Sequence, residues 1–254
     1  AMLEADSATR HIVLISKPPS QSVAKRVIDT LAHSEKPCTV CFLGADAPSL
    51  PDNVSFARTL KATAELATGR YSKNKRPEFK SVIPPVPTGR QRIHGLFCGG
   101  TLSSEAQVVF LDQGVSVASN APIPGAEALG SGTSHVLIDL GSDEYTRGRP
   151  HPMIDPTVRD DELTKALSDT TLAVILLDVV IGFGAHPDPA GTIVQVVAAA
   201  GTERPIVVAS VTGTDDDPQD RRTQVAKLVD GGIVVAPTNA DAAKLALSCL
   251  VRDD

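Results

Sequence analysis

Residues 173–189, AVILLDVVIGFGAHPDP, constrain the fold of this chain more than any other stretch. The segment is apolar through residue 180 except for Asp178, then passes directly into Gly182, Gly184 and a Pro-led helix start. A run this short and this rich in Val, Ile and Leu reads as a strand buried on both faces, as in a parallel sheet with helices above and below. Such sheets bind ligands beyond the carboxyl ends of their strands. Asp178, Gly182, Gly184, His186 and Asp188 therefore stand where chemistry is expected.

The rest of the chain repeats the same grammar. Strands are expected at 12–16, 39–44, 93–98, 115–119, 136–140, 173–180, 206–211 and 233–236. Helices are expected from the turn at Lys17 to about His33, where Val23, Val27 and Leu31 recur at helical spacing, and at 55–68, 102–113, 158–168, 190–200, 218–229 and 239–251. Alternation of this kind predicts an α/β fold, a flavodoxin-like three-layer parallel sheet over 93–254. A smaller partial α/β segment, 1–72, precedes it, and a basic, Pro-rich linker, 73–92, separates the two. Residues 12–46 can be laid on 173–215 as strand, loop, helix and strand, with Pro37 matching Pro205. If the repeat holds, the first segment is the back half of such a domain. A two-strand sheet is too small to stand alone, so it is expected to pack on other residues or another subunit.

Composition removes several classes of function. A net charge of −6, no Trp and 3% aromatic residues leave neither the basic field nor the stacking platforms of a nucleic-acid binder. No apolar run approaches the roughly 20 residues that cross a bilayer, so no membrane contact and a cytoplasmic location are expected. Cys38 and Cys41, at positions i and i+3 of a strand, face opposite sides, which argues against redox or metal use. No metal site is expected.

Three passages carry candidate chemistry. Gly99-Gly100-Thr101-Leu102-Ser103 follows a strand and opens a helix that carries Glu105 in its first turn. Free backbone N–H groups and the helix dipole there favour a phosphate, the plain alternative being a Thr or Ser cap. Arg147, Arg149, His151 and Asp155 lie in a Pro-rich segment after the strand at 136–140. Two guanidinium groups there suit a phosphate or carboxylate, unless internal salt bridges consume them. His186 reads as a phosphate acceptor, a general base or a loop histidine bonded to a neighbour. Asp217 before Pro218 reads as the cap of the helix that follows.

GLFCGGTLSSEA, DLGSDEYTRGRPHPMIDP and AVILLDVVIGFGAHPDPAG resemble the FdrA family, which is related to the α subunit of succinyl-CoA synthetase. The resemblance runs from about Ile12 to the end of the chain. It implies a succinyl-CoA synthetase-like domain in which Gly100-Thr101-Leu102 and Glu105-Ala106 open the helix that holds the phosphate of a phosphohistidine. Asp178 falls where the wider superfamily has the carboxylate that partners that histidine. The family's mobile histidine, in a Gly-His-Ala-Gly segment after the strand at 206–211, has no counterpart, since this chain reads DDDPQDRRTQVAKL there.

The resemblance also implies the C-terminal part of a longer protein, with no cofactor in this chain and coenzyme A and ATP coming through missing domains or partner subunits. Homo-oligomerisation is expected. The family is associated with carbamoyl transfer in oxamate and allantoin breakdown. The expected activity is that of a ligase or a carbamoyltransferase subunit acting on a small anion such as carbamoyl phosphate. Asp178, His186 and His151 would be catalytic, and Gly99, Gly100, Thr101, Ser103, Arg147, Arg149, Asp155, Gly182 and Gly184 would bind substrate or phosphate. The other expectation is a degenerate domain kept as a scaffold for subunit assembly.

Overall fold

The computed structural model describes residues 2–70, 83–133 and 135–250. It divides into two compact units, Ala1–Lys75 and Arg76–Asp254. Of the expected linker, residues 73–82 lie outside the described residues.

In the first unit a short helix α1 (Met2–Ala5) precedes β1 (Ile12–Ser16), α2 (Gln21–Leu31), β2 (Cys38–Phe42), β3 (Val54–Phe56) and α3 (Leu60–Thr68). The three strands are parallel and lie in the order β1-β2-β3. Ser20 starts α2 by accepting the Val23 N–H, and Ile28, Ala24, Val27 and Leu31 then pack on the face made by Ile12, Leu14, Cys38, Val40, Phe42 and Val54. None of the α3 residues belongs to that cluster. α3 packs on β2 and β1 from the other side, over the wholly buried Thr39 and Cys41.

Two expectations need correction here. Residues 55–68 are not one helix: Val54 and Phe56 pair with Cys38 and Val40 as a strand, and the helix waits for Thr59, whose hydroxyl accepts the Ala62 N–H. The sheet accordingly has three strands instead of two.

The second unit contains β4 (Arg92–Phe97), α4 (Gly100–Asp112), β5 (Ala118–Ser119), β6 (Glu127–Ala128), β7 (Val136–Asp139), α5 (Asp143–Thr146) and α6 (Thr157–Leu167). These are followed by β8 (Leu172–Val180), α7 (Pro189–Ala199), β9 (Ile206–Thr212), α8 (Arg221–Asp230), β10 (Val234–Ala236) and α9 (Asn239–Ser248). All pairings are parallel, in the order β10-β9-β8-β4-β7-β5-β6, so β8 and β4 lie well inside the sheet. Leu96, Ile175, Leu177, Val179, Val207 and Ala209 face the layer of α6, α7 and α8, packing with Leu163, Ile193 and Leu228. Strand alternation turns Phe97, Leu176, Asp178, Val208 and Ser210 to the opposite face, which α4 and α9 cover. The result is the three-layer α/β arrangement expected of the long apolar strand.

Local chemistry moves three boundaries. α8 begins at Arg221 because the Asp217 carboxylate is taken by the Thr214 N–H and hydroxyl. Asp220, at φ 52°, caps the helix instead, accepting the Arg222 N–H. Glu105 lies in the second turn of α4 and is buried, so it does not meet the dipole as an exposed acid. β5 shortens to two residues, and β6, which no apolar run announces, extends the edge beside it. Among the described residues no helix is long and apolar enough to cross a membrane.

Ile175 has no exposed surface. Ile175→Ala is expected to cost about 2–5 kcal/mol, through lost transfer energy and the cavity left behind. Urea denaturation followed by circular dichroism measures it.

Candidate functional site

β4 pairs with β8 in the register Leu96 with Leu177, so the chain leaves β4 at Cys98 beside the Asp178 side chain. Asp178 is wholly buried, and its Oδ1 accepts the Cys98 N–H at 2.7 Å. Burial pushes this carboxyl up to about 6, against the opposing pull of the Cys98 N–H and the Arg159 charge. Its Oδ2 has no hydrogen bond among the described residues, nor has the Oγ of Ser210, its register partner on β9. Burial, followed by the Asp178 charge, pushes the Cys98 thiol up to about 12, so it is no nucleophile at neutral pH.

α4 starts from Gly99 with no side-chain cap, so the alternative of a Thr or Ser cap does not hold. The other described helices of eight residues or more take an acceptor in the first turn, from Ser20, Thr59, Asp155, Asp188, Asp220 or Thr238. The Gly100, Thr101 and Leu102 amides have no acceptor among the described residues, and the Thr101 side chain is exposed. Behind them, Asn239 at the start of α9 donates to Leu102 O at 3.0 Å and to Glu105 Oε2 at 2.8 Å. Ser103 turns inward, where its hydroxyl accepts from Gln107 Nε2, and so it faces the interior and not a ligand.

His151 comes to the same strand end from another side. A Cβ on Gly141 would stand 2.6 Å from His151 Nε2 and 2.7 Å from Cys98 O, so only glycine lets the ring approach this closely. His151 Nδ1 accepts the Met153 N–H, which puts the proton of the neutral ring on Nε2, facing Gly141. The His186 N–H donates to Met153 O at 2.7 Å, and His186 Nδ1 accepts the Asp188 N–H. Asp155, one residue before the Pro156 that starts α6, is committed to the Thr157 N–H and hydroxyl, which hold its carboxyl below the usual range.

Arg147 and Arg149 are exposed beyond α5 and make no ion pair among the described residues, so internal salt bridges do not consume them. Gly182 and Gly184 take φ of 147° and 84°, conformations that side chains rarely adopt. Gln219 stitches their loop, accepting the Gly182 N–H and donating to Gly182 O and His186 O. The candidates thus divide between the two faces of the sheet. Thr101 and Asp178 belong to the α4 and α9 side, while His151, Asp155 and His186 gather at the start of α6. The end of β4 joins the two groups.

Three residues that sequence reasoning passed over hold this geometry. Arg159 is only 1% exposed and bonds Pro189 O, Thr192 Oγ1 and Cys98 Sγ, joining α6 and α7 to the end of β4. Gln219 and Asn239 are the others. Each is a polar residue near a helix start, a pattern indistinguishable in sequence from a solvated one.

A family model described as CoA-ligase matches residues 96–249. The uncharacterized protein YahF of Escherichia coli (strain K12) is 35% identical over 272 residues, covering 100% of this chain and 53% of YahF. The chain thus spans about half the length of that relative. Among solved structures, the dinucleotide forming acetyl-coenzyme A synthetase 1 of Ca. Korarchaeum cryptofilum is 17% identical, with 98% of this chain and 55% of that chain covered at a TM-score of 0.45. PH0766 from Pyrococcus horikoshii OT3 is 15% identical, with 98% and 53% covered at a TM-score of 0.42.

Two measurements test this geometry. Because the folded carboxyl of Asp178 is raised to about 6, its contribution to stability is fully present below the unfolded value near pH 4 and is lost as pH rises through 6. Asp178→Asn keeps an acceptor for Cys98 and is expected to be more stable than the parent at pH 7.5 by about 1–3 kcal/mol, with the difference vanishing at pH 4. Urea titrations of both proteins across that range read it. Gly141→Ala is expected to cost about 1–3 kcal/mol by pushing its methyl into the His151 ring and Cys98 O, and to move the His151 ring resonances in NMR.

Proposed function

The chain belongs to the CoA-ligase family, and from that premise we propose that its second unit holds a small phosphorylated or carboxylate substrate where α4 leaves β4. The observation that carries this reading is the open first turn of α4, whose Gly100, Thr101 and Leu102 amides point from a helix N-terminus with no side-chain acceptor. Gly99 leaves open space in front of them. The Thr101 hydroxyl adds a donor, and the unpaired guanidinium groups of Arg147 and Arg149 add charge. The reaction class is transfer of an acyl or carbamoyl group from phosphate. As the bond between the carbonyl carbon and the phosphate oxygen breaks, charge grows on the leaving phosphate, where amides and guanidinium groups stabilise it.

Within this reading Asp178 is a positioning residue. It touches no solvent and acts by gripping the Cys98 N–H, which aims the turn into α4. No side chain here supplies a nucleophile, so the acceptor of the transferred group is the second substrate. Carbamoyl phosphate and oxamate are the substrates that the FdrA resemblance implies. Coenzyme A and ATP, where the reaction calls for them, come with other domains or subunits. The loop at 213–220 carries no histidine, and this favours a second reading, a domain kept for subunit assembly.

Isothermal titration calorimetry with carbamoyl phosphate, oxamate, inorganic phosphate, coenzyme A and ATP separates the two. Binding of carbamoyl phosphate is expected, weakened about 10-fold or more in Arg149→Ala and less in Thr101→Val. No heat from any of the five ligands leaves the assembly reading.

A further inference from the structure

The two units follow one plan and differ at one position. β1-α2-β2 and β8-α7-β9 each make a parallel crossover. Pro37 and Pro205 stand immediately before β2 and β9. β3 and β10 are the third strands of the two series and each ends its sheet. In both units the crossover helix covers one face and the last helix, α3 or α9, packs on the sheet. β1 therefore corresponds to β8. Yet β8 is buried along its length up to Val180 because β4 lies beside it, whereas β1 ends its sheet and is only partly buried.

The ladder shows which groups of β1 are left over. Ile12 N donates to Pro37 O and Leu43 N to Ser16 O, so Ile12, Leu14 and Ser16 turn their backbone groups to β2. Val13 and Ile15 turn theirs outward, and no strand among the described residues receives them. The two residues are 41% and 47% exposed, their side chains on the α3 face, since Ile12 and Leu14 occupy the other. Outer strands are usually blunted by charge, proline or a bulge. Ile12–Ser16 contains no charged residue and no proline, and its pairing with β2 is unbroken.

The second unit shows what fills this position. β4 pairs with β8, and α4, leaving the end of β4, packs along α9. A strand alone would satisfy the Val13 and Ile15 backbone. Covering their side chains beside α3 takes a helix as well.

We propose that the free edge of β1 is a docking edge for a parallel strand followed by a helix on the α3 face, supplied by the half of a YahF-type polypeptide that these 254 residues do not span. The relative is long enough to carry this element, since 47% of it lies outside the match, the remainder of the 53% covered. A second copy of this chain is the competing occupant.

Hydrogen–deuterium exchange on the 254-residue chain and on full-length YahF, with light scattering for mass, tests the proposal. The Val13 and Ile15 amides of the monomeric chain are expected to exchange roughly 100-fold or more faster than the aligned amides of YahF. Val13→Pro removes only an outward N–H, so the chain is expected to keep its melting temperature, while proline at the aligned YahF position restores fast exchange there. Slow exchange in the monomeric chain, or equal rates in the two proteins, overturns the proposal. A dimer of the chain that Ile15→Lys dissociates also overturns it, by assigning the edge to a second copy.

Discussion

The hydrogen bond from the Cys98 N–H to the buried Asp178 carboxylate holds the second unit's working edge in shape. A carboxylate wholly removed from water is costly, and its raised proton affinity records that cost. The energy is spent where β4 leaves the sheet. There the bond directs the main chain from strand into the Gly-Gly turn, so that α4 begins with its first amides open. On the other face Arg159 touches the same cysteine through its sulfur, and the bare backbone of Gly141 leaves room for both the Cys98 carbonyl and the His151 ring. One backbone position thus couples three elements that are far apart in the chain.

This arrangement explains a division of labour among the polar residues. Buried groups such as Asp178, Arg159, Asn239 and Gln219 spend their hydrogen bonds on main-chain atoms or on helix starts. The exposed groups, Thr101, Arg147 and Arg149, are left without internal partners among the described residues. Groups of the first kind position the edge, and groups of the second kind are available to a ligand. The same logic separates Ser103 from Thr101, two residues apart on α4. One turns into the α4 interior toward Gln107 and the other turns to water.

Much of the second unit was legible in the amino-acid pattern. β8, β9, α7 and α9 lie within a residue or two of their expected starts, because long apolar runs and Thr or Asp caps with Pro-led starts act locally. Misplaced boundaries arose where a cap was contested. Asp217 was the natural cap beside Pro218, but its carboxylate closes the Thr214 turn, and Asp220 takes over. Residues 54–56 were hidden for a different reason. A three-residue strand has too little period to show, and it exists only because β2 lies beside it.

By itself the sequence determined that this chain builds parallel α/β sheets, that Asp178 lies near the end of a buried strand, and that a Gly-Gly turn opens a helix after Cys98. Those properties follow from period, propensity and turn chemistry, which act over a few residues. Only the tertiary structure decided that Asp178 serves Cys98, that His151 and His186 gather at the start of α6 while Thr101 lies across the sheet, and that β1 has an open side. Each depends on which strands become neighbours, and strand order is set by packing between segments as far apart as the 80 residues that separate Cys98 from Asp178.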